Sequence, residues 1–189
     1  YLIVDSTMLY EMVVNEEDVT KIVTTFVSNI KGLFRGKNSF NQDISSWDVS
    51  NVTDMSSTFM VSSWNVDGVF NQDIGSWDVS SVIKMDSMFF EANYFNQDIS
   101  SWDVSNVKSM SYMFRASNAF NADISSWDIS NVTNIGSMFY RASSFNQDIG
   151  GWDVSNVSIM SNMSPLGVST GLFQQATYFD QDISGWDVS

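Results

Sequence analysis

A chain of 189 residues with 43% apolar and 14% aromatic content is too hydrophobic for a disordered acidic tail and long enough for one or two domains. It contains no cysteine and no histidine, which removes thiolate nucleophiles, zinc–thiolate centres, disulfides and imidazole bases from consideration. Its net charge of −14 repels a phosphate backbone, so nucleic acid is excluded as a partner, and no apolar run is long enough to cross a bilayer.

The chain opens at Tyr1 without a basic segment or a signal-cleavage pattern, which predicts that something preceding it has been removed. Residues 6–14, Ser-Thr-Met-Leu-Tyr-Glu-Met-Val-Val, carry apolar side chains at helical spacing behind Asp5 and Ser6, both good N-caps. They predict a helical cap. From residue 40 a unit of about 25 residues repeats, with starts at Phe40, Phe70, Phe95, Phe120, Phe145 and Phe179. Carrying that register backward places Asp18 on Asp43, Val19 on Ile44, Ile22 on Trp47, Val27 on Val52, Ile30 on Met55 and Phe34 on Phe59. Residues 1–39 are therefore read as the cap helix plus a degenerate zeroth unit, and 40–189 as tandem repeats whose last unit is truncated. That truncation predicts continuation of the chain, or stacking on another subunit.

A period of 20–50 residues points to a solenoid, in which a unit too small to bury its own apolar face stacks on its neighbours. In the third copy the apolar positions are Phe95, Ile99, Trp102, Val104, Val107, Met110, Met113, Phe114 and Ala116. Alternation in residues 98–100 and 102–105 predicts short parallel strands, and residues 109–116 predict a helical turn. The run F-N-Q-D-I-S-S-W-D-V-S-N-V-x-x-M-x-x-M-F at residues 95–114 resembles the repeat of BspA-like bacterial surface proteins, which are related to leucine-rich repeats. The likeness extends from about residue 15 to residue 189. It implies a leucine-rich-repeat-like stack of coils, export to the cell surface and a role in adhesion, and it brings no catalytic motif. Departures from the pattern are two lengthened units, Ala122 in place of Gln, and the shortened last unit.

Residues 40–189 carry 17 acidic and 4 basic side chains, so the acidity belongs to the repeat. Two aspartates are fixed in each unit: Asp43, Asp73, Asp98, Asp123, Asp148 and Asp182 form one set, and Asp48, Asp78, Asp103, Asp128, Asp153 and Asp187 the other. Stacked at strand spacing, about 4.8 Å, each row repels itself. Local bonding to backbone amides two residues on, with salt screening, is the simplest relief. The alternative is Ca²⁺ held between the aspartates of adjacent coils (Asp43 to Asp153), although neither EF-hand spacing nor a glycine-rich nonapeptide is present. Either way, higher salt or millimolar Ca²⁺ is expected to raise thermal stability. Six equivalent acid pairs are a poor match for an enzyme, which needs one or two carboxylates with separated pKa values.

The in-phase tryptophans Trp47, Trp77, Trp102, Trp127, Trp152 and Trp186 predict a core column, with an exposed carbohydrate platform as the functional alternative. Asn51, Asn106, Asn131 and Asn156 predict an amide ladder; Asn51, Asn131, Asn156 and Asn162 also match the glycosylation acceptor pattern. Two insertions break the repeat: five extra residues after Phe59 and nine between Met160 and Phe173, both read as falling in the same part of the unit. Insertions on one side of a repeat array tend to form the binding face. Trp64, Asn65 and Asp67 in the first, and Pro165 and Leu166 in the second, are thus the expected partner-binding residues. The functions in view are a non-catalytic extracellular module that binds a surface protein or polysaccharide, and a spacer or filament component that meets neighbouring subunits.

Overall fold

The structure, a computed structural model, describes residues 1–62, 67–163 and 169–188. Its N-terminal end is the most conventional part. Strand β1 (Leu2–Asp5) leads directly into helix α1 (Ser6–Val14), and β1 pairs in parallel with β2 (Ile22–Phe26), Leu2 opposite Ile22. Asp5 caps α1 by accepting from the Met8 amide at 2.9 Å, and Leu9, Met12 and Val13 bury one face of the helix at the i, i+3, i+4 positions. Val19, Ile22, Val27, Ile30 and Phe34, the apolar positions of the zeroth unit, are all buried.

Beyond it, successive units lie one upon the next. Parallel bridges link Asn29, Asp54, Lys84, Ser109, Asn134 and Ile159 in sequence, one residue from each unit. Of the strands expected at residues 98–100 and 102–105 and their equivalents, β2 forms in the zeroth unit, while the described residues of the later units carry neither those strands nor a helix at the equivalents of 109–116. Residues 102–105 instead close into a turn, because Asp103 accepts from the Ser105 amide at 3.0 Å and the Val107 amide returns to the Val104 carbonyl. Residues 109–116 are a chain of tight turns. The amides of Met110, Tyr112, Phe114 and Ala116 donate to the following unit, at Asn134, Gly136, Met138 and Tyr140, while those of Met113, Arg115 and Ser117 donate three residues back. A helix would need every amide to bond four residues back. The alternation requires left-handed backbone at Tyr112 (φ 57°) and Ala116 (φ 55°), and the same positions in the zeroth unit are the glycines Gly32 and Gly36.

The core is a bundle of aromatic columns. The late phenylalanine of each unit stacks on the one that opens the next at 3.7–4.0 Å between centroids, as in Phe89–Phe95 and Phe114–Phe120, and equivalent phenylalanines of successive units lie 5.4–6.3 Å apart in two columns. The tryptophans align beside them: Trp47–Trp77, Trp102–Trp127 and Trp152–Trp186 lie 6.3–6.4 Å apart with planes within 5°. Each indole Nε1 donates at 3.0–3.1 Å to a carbonyl of the preceding unit, Trp102 to Ile74 and Trp127 to Ile99 among them. That bond lets a polar ring enter the core without an orphaned donor.

Candidate functional site

The repeated acids are turn builders. In the fixed aspartates from Asp43 to Asp182 Oδ1 accepts the amide of the residue two places on, at 2.9–3.1 Å: Ser45 for Asp43, Gly75 for Asp73, Ser100 for Asp98, and so through both rows. Asp18 does the same with Thr20 in the zeroth unit. These donors favour the charged form. The Ser50 hydroxyl and then its amide hold Asp48 below the usual carboxylate range, and Ser80 and Ser155 act likewise on Asp78 and Asp153. At Asp123 and Asp182 the amide two residues on contributes most. Neighbouring acids in the row oppose the effect, Asp48 at Asp78 and Asp128 at Asp153. A Ca²⁺ ion wants six to eight oxygens. Among the described residues no three acidic side chains gather to supply them, so Asp43, Asp73, Asp98, Asp123 and Asp148, with Asp48, Asp78, Asp103, Asp128 and Asp153, do not form a converging donor set.

The tryptophans cannot serve as a sugar platform. Trp47, Trp77, Trp102, Trp127 and Trp152 are only 3–4% exposed, each ring facing the column rather than solvent. The asparagines split into two ladders. The side-chain amides of Asn51, Asn106, Asn131 and Asn156 donate to carbonyls of the preceding unit (Thr25, Ser80, Ser105 and Ser130) at 2.7–3.0 Å, and Asn162 does so to Gly136. All four asparagines that match the glycosylation pattern therefore have their nitrogens in structural bonds. The second ladder escaped sequence reasoning: Oδ1 of Asn41, Asn71, Asn96, Asn121 and Asn146 accepts the amide of the equivalent residue in the following unit at 2.8–3.0 Å. The recurring F-N pair was its signal, since an asparagine copied behind Phe40, Phe70, Phe95, Phe120 and Phe145 needs a partner one period away.

The insertions sit on opposite sides of one aromatic position, which corrects the reading that they share a place. The first follows Phe59, whereas the second precedes Phe173 and replaces the regular bond with a shifted one, Ser137 to the Met160 carbonyl. The second begins and ends in a short antiparallel pair, β3 (Asn162–Met163) and β4 (Ser169–Thr170). Trp64, Asn65, Pro165 and Leu166 lie outside the described residues. Asp67 is described and is occupied: its Oδ1 accepts from Asn93 Nδ2 at 2.7 Å, extending a further polar ladder in which Asn118 Nδ2 donates to Asn93 Oδ1.

With this periodic geometry in view, the comparison with family models is decisive for class. The model described as Mycoplasma protein of unknown function, DUF285, matches residues 5–69, 60–169 and 166–189. The chain belongs to that family. Its repeated matches make the DUF285 chain a repeat protein. No curated protein and no solved structure matches it.

One surface of the DUF285 chain is unlike the rest. Arg115 and Arg141, from adjacent units, both stand over the Tyr140 ring, at 4.7 and 5.2 Å from its centroid, and Arg115 also rests on Phe90 and Tyr112 at 5.2 and 5.4 Å. Half-buried Glu91 lies in their field: burial pushes its carboxyl up, and the two guanidinium groups pull it down. Periodicity hid this patch because it breaks the repeat. The available signal was that the four basic residues of 40–189 all fall between 84 and 141.

Proposed function

We propose that the chain is a non-catalytic, extracellular repeat solenoid of the BspA-like kind, which presents unrepeated positions to a surface protein or polysaccharide. One observation carries this reading: the residues copied in every unit are consumed by construction, the phenylalanines and tryptophans in stacks, the aspartates in turns and the asparagines in ladders. Such a scaffold leaves recognition to the places where the repeat is broken. The motif likeness to surface repeats supports the localisation.

The test is to remove the inserted segments while keeping the columns. A Δ62–66/Δ162–170 variant restores the regular unit length, and it should fold and melt close to the parent while losing retention on immobilised cell-surface polysaccharide or protein. Binding that survives both deletions refutes the reading. In this account Ca²⁺ is dispensable. A melting temperature that drops on chelation would restore the aspartate rows as a cation site.

A second reading, a spacer or assembly component that meets copies of itself, is favoured by the constancy of the inter-unit bonds, which sets a uniform advance from Trp47 to Trp186.

A further inference from the structure

The Arg115–Arg141 patch is a cationic fork in whose field Glu91 lies without forming an ion pair with either arginine among the described residues. Stacking on Phe90, Tyr112 and Tyr140 holds the Arg115 guanidinium in place, and Arg141 is oriented by its Nε, which donates to Gln175 Oε1 at 2.6 Å. Among the described residues no acceptor takes a hydrogen bond from the Arg115 guanidinium or from the terminal nitrogens of Arg141. Neither arginine pairs with a carboxylate within 4 Å. A planar guanidinium fixed on a ring with its donors unspent is suited to bind a carboxylate in bidentate fashion.

The complementary surface is on the same molecule. Its fixed aspartates recur once per unit and stand exposed at Asp98, Asp103, Asp123 and Asp128, and the two arginines also come from successive units, whose Phe114 and Phe139 rings are 6.0 Å apart. We propose that the Arg115–Arg141 patch docks the aspartate rows of a second copy of the chain. The occupant rests on the assembly reading above. Patch and acid row are different surfaces, so the contact is head-to-tail, leaves a free patch at one end of an assembly and a free acid row at the other, and adds copies in series instead of stopping at a two-fold dimer. The overall charge of −14 opposes approach at low salt. At an ionic strength of about 0.1 M, where the screening length is about 10 Å, that distant repulsion fades while the contact pairs persist; at about 1 M, where it is about 3 Å, the pairs weaken as well.

Sedimentation velocity of the full chain at about 0.1 M salt tests this. Wild type should show a concentration-dependent series of species. R115Q/R141Q should be monomeric, whereas K84Q/K108Q, which carries the same net charge but leaves the rings and their arginines in place, should assemble like wild type. D98N/D103N/D123N/D128N should assemble more weakly than wild type, although it lowers the net repulsion, because asparagine keeps the Oδ1 acceptor of each turn while four of the twelve fixed row charges are lost; assembly as strong as that of wild type overturns the acid rows as the docking partner. Adding R115Q/R141Q to wild type should shorten the series of species, since the variant supplies acid rows but no patch and so ends each chain it joins. Near-ultraviolet circular dichroism of the tryptophan column verifies that each variant is folded. Assembly that persists in R115Q/R141Q overturns the patch and leaves the assembly reading standing; a wild type that stays monomeric at every concentration overturns both. A monomeric wild type that binds an oligouronate through Arg115 overturns the second copy as the occupant.

Discussion

The uninterrupted units from Phe70 to Phe145 and the two interrupted ones differ in what they preserve. In the regular units every bond of the turn segment finds its counterpart one period on. At the second insertion one rung of that ladder is displaced, Ser137 bonding Met160, and the ladder resumes in register beyond the added residues at Phe139–Leu172 and Arg141–Gln174. The columns, in contrast, pass through untouched: Phe59 stacks on Phe70 at 3.9 Å and Phe173 on Phe179 at 3.9 Å, the same as Phe89 on Phe95. The asparagine ladder also bridges both gaps, from Asn71 to Asn41 and from Asp180 to Asn146. Rings and asparagines therefore hold the register, and the turn backbone absorbs the change in length. Loop lengthening is inexpensive, whereas shifting a close-packed core is not.

The largest test of that division is at the centre of the indole column. Trp102→Ala should cost about 3–5 kcal/mol in urea unfolding, from lost burial and the cavity left behind. Trp186→Ala should cost clearly less, because Trp186 is only partly buried and stacks on a tryptophan on one side. Equal losses at the two sites would mean that the column is not what holds the units together.

Acid should act on all units at once. The lowered aspartates have folded pKa values below their unfolded ones, so their stabilising contribution is complete above the ordinary carboxylate value of about 3.9 and disappears as pH falls through the lowered folded values. Melting temperature followed downward from pH 5 should hold until that window and then fall. A steady decline beginning near pH 6 would assign the loss to other groups.

Smaller effects compare single bonds inside and across an insertion. Asn121→Ala, in the regular units, and Asn41→Ala, which spans the first insertion, should each cost about 1 kcal/mol, because both remove one acceptor of a between-unit amide. A several-fold greater loss at Asn41 would show that the insertion leans on the ladder more than on the rings. Smallest is a gain. Ala116→Gly relieves a left-handed backbone at φ 55° and should raise stability by up to about 1 kcal/mol, or about 2–4 °C in a chain of this size.

Much of the interior was legible in advance. Copied Phe and Trp at fixed spacing specify a column because equivalent residues in stacked units coincide, and the degenerate zeroth unit was readable from Val19, Ile22 and Phe34 by the same logic. Local backbone was not. Alternation at residues 98–105 suits a strand, but it equally suits turns whose amides are claimed alternately by the same unit and the next; only the Asp103–Ser105 bond distinguishes them. The aspartates were assigned correctly to turns because Asp-x-Ser chemistry is local. The Arg115 cluster was missed because the reading followed copied residues: Phe90, Arg115 and Tyr140 occupy one position of three successive units, 25 residues apart, where the side chain changes each time.

The between-unit bonds made by the tryptophans have a direction. Each of the six in-phase indoles reaches back to a carbonyl of the unit before it, as do the amides of Asn51, Asn106, Asn131 and Asn156. During translation the earlier unit leaves the ribosome first, so its acceptors are already in place when the next donors emerge. These side-chain bonds can thus form in the order of synthesis, whereas the turn amides, such as those of Met110, Tyr112, Phe114 and Ala116, stay open until the following unit arrives.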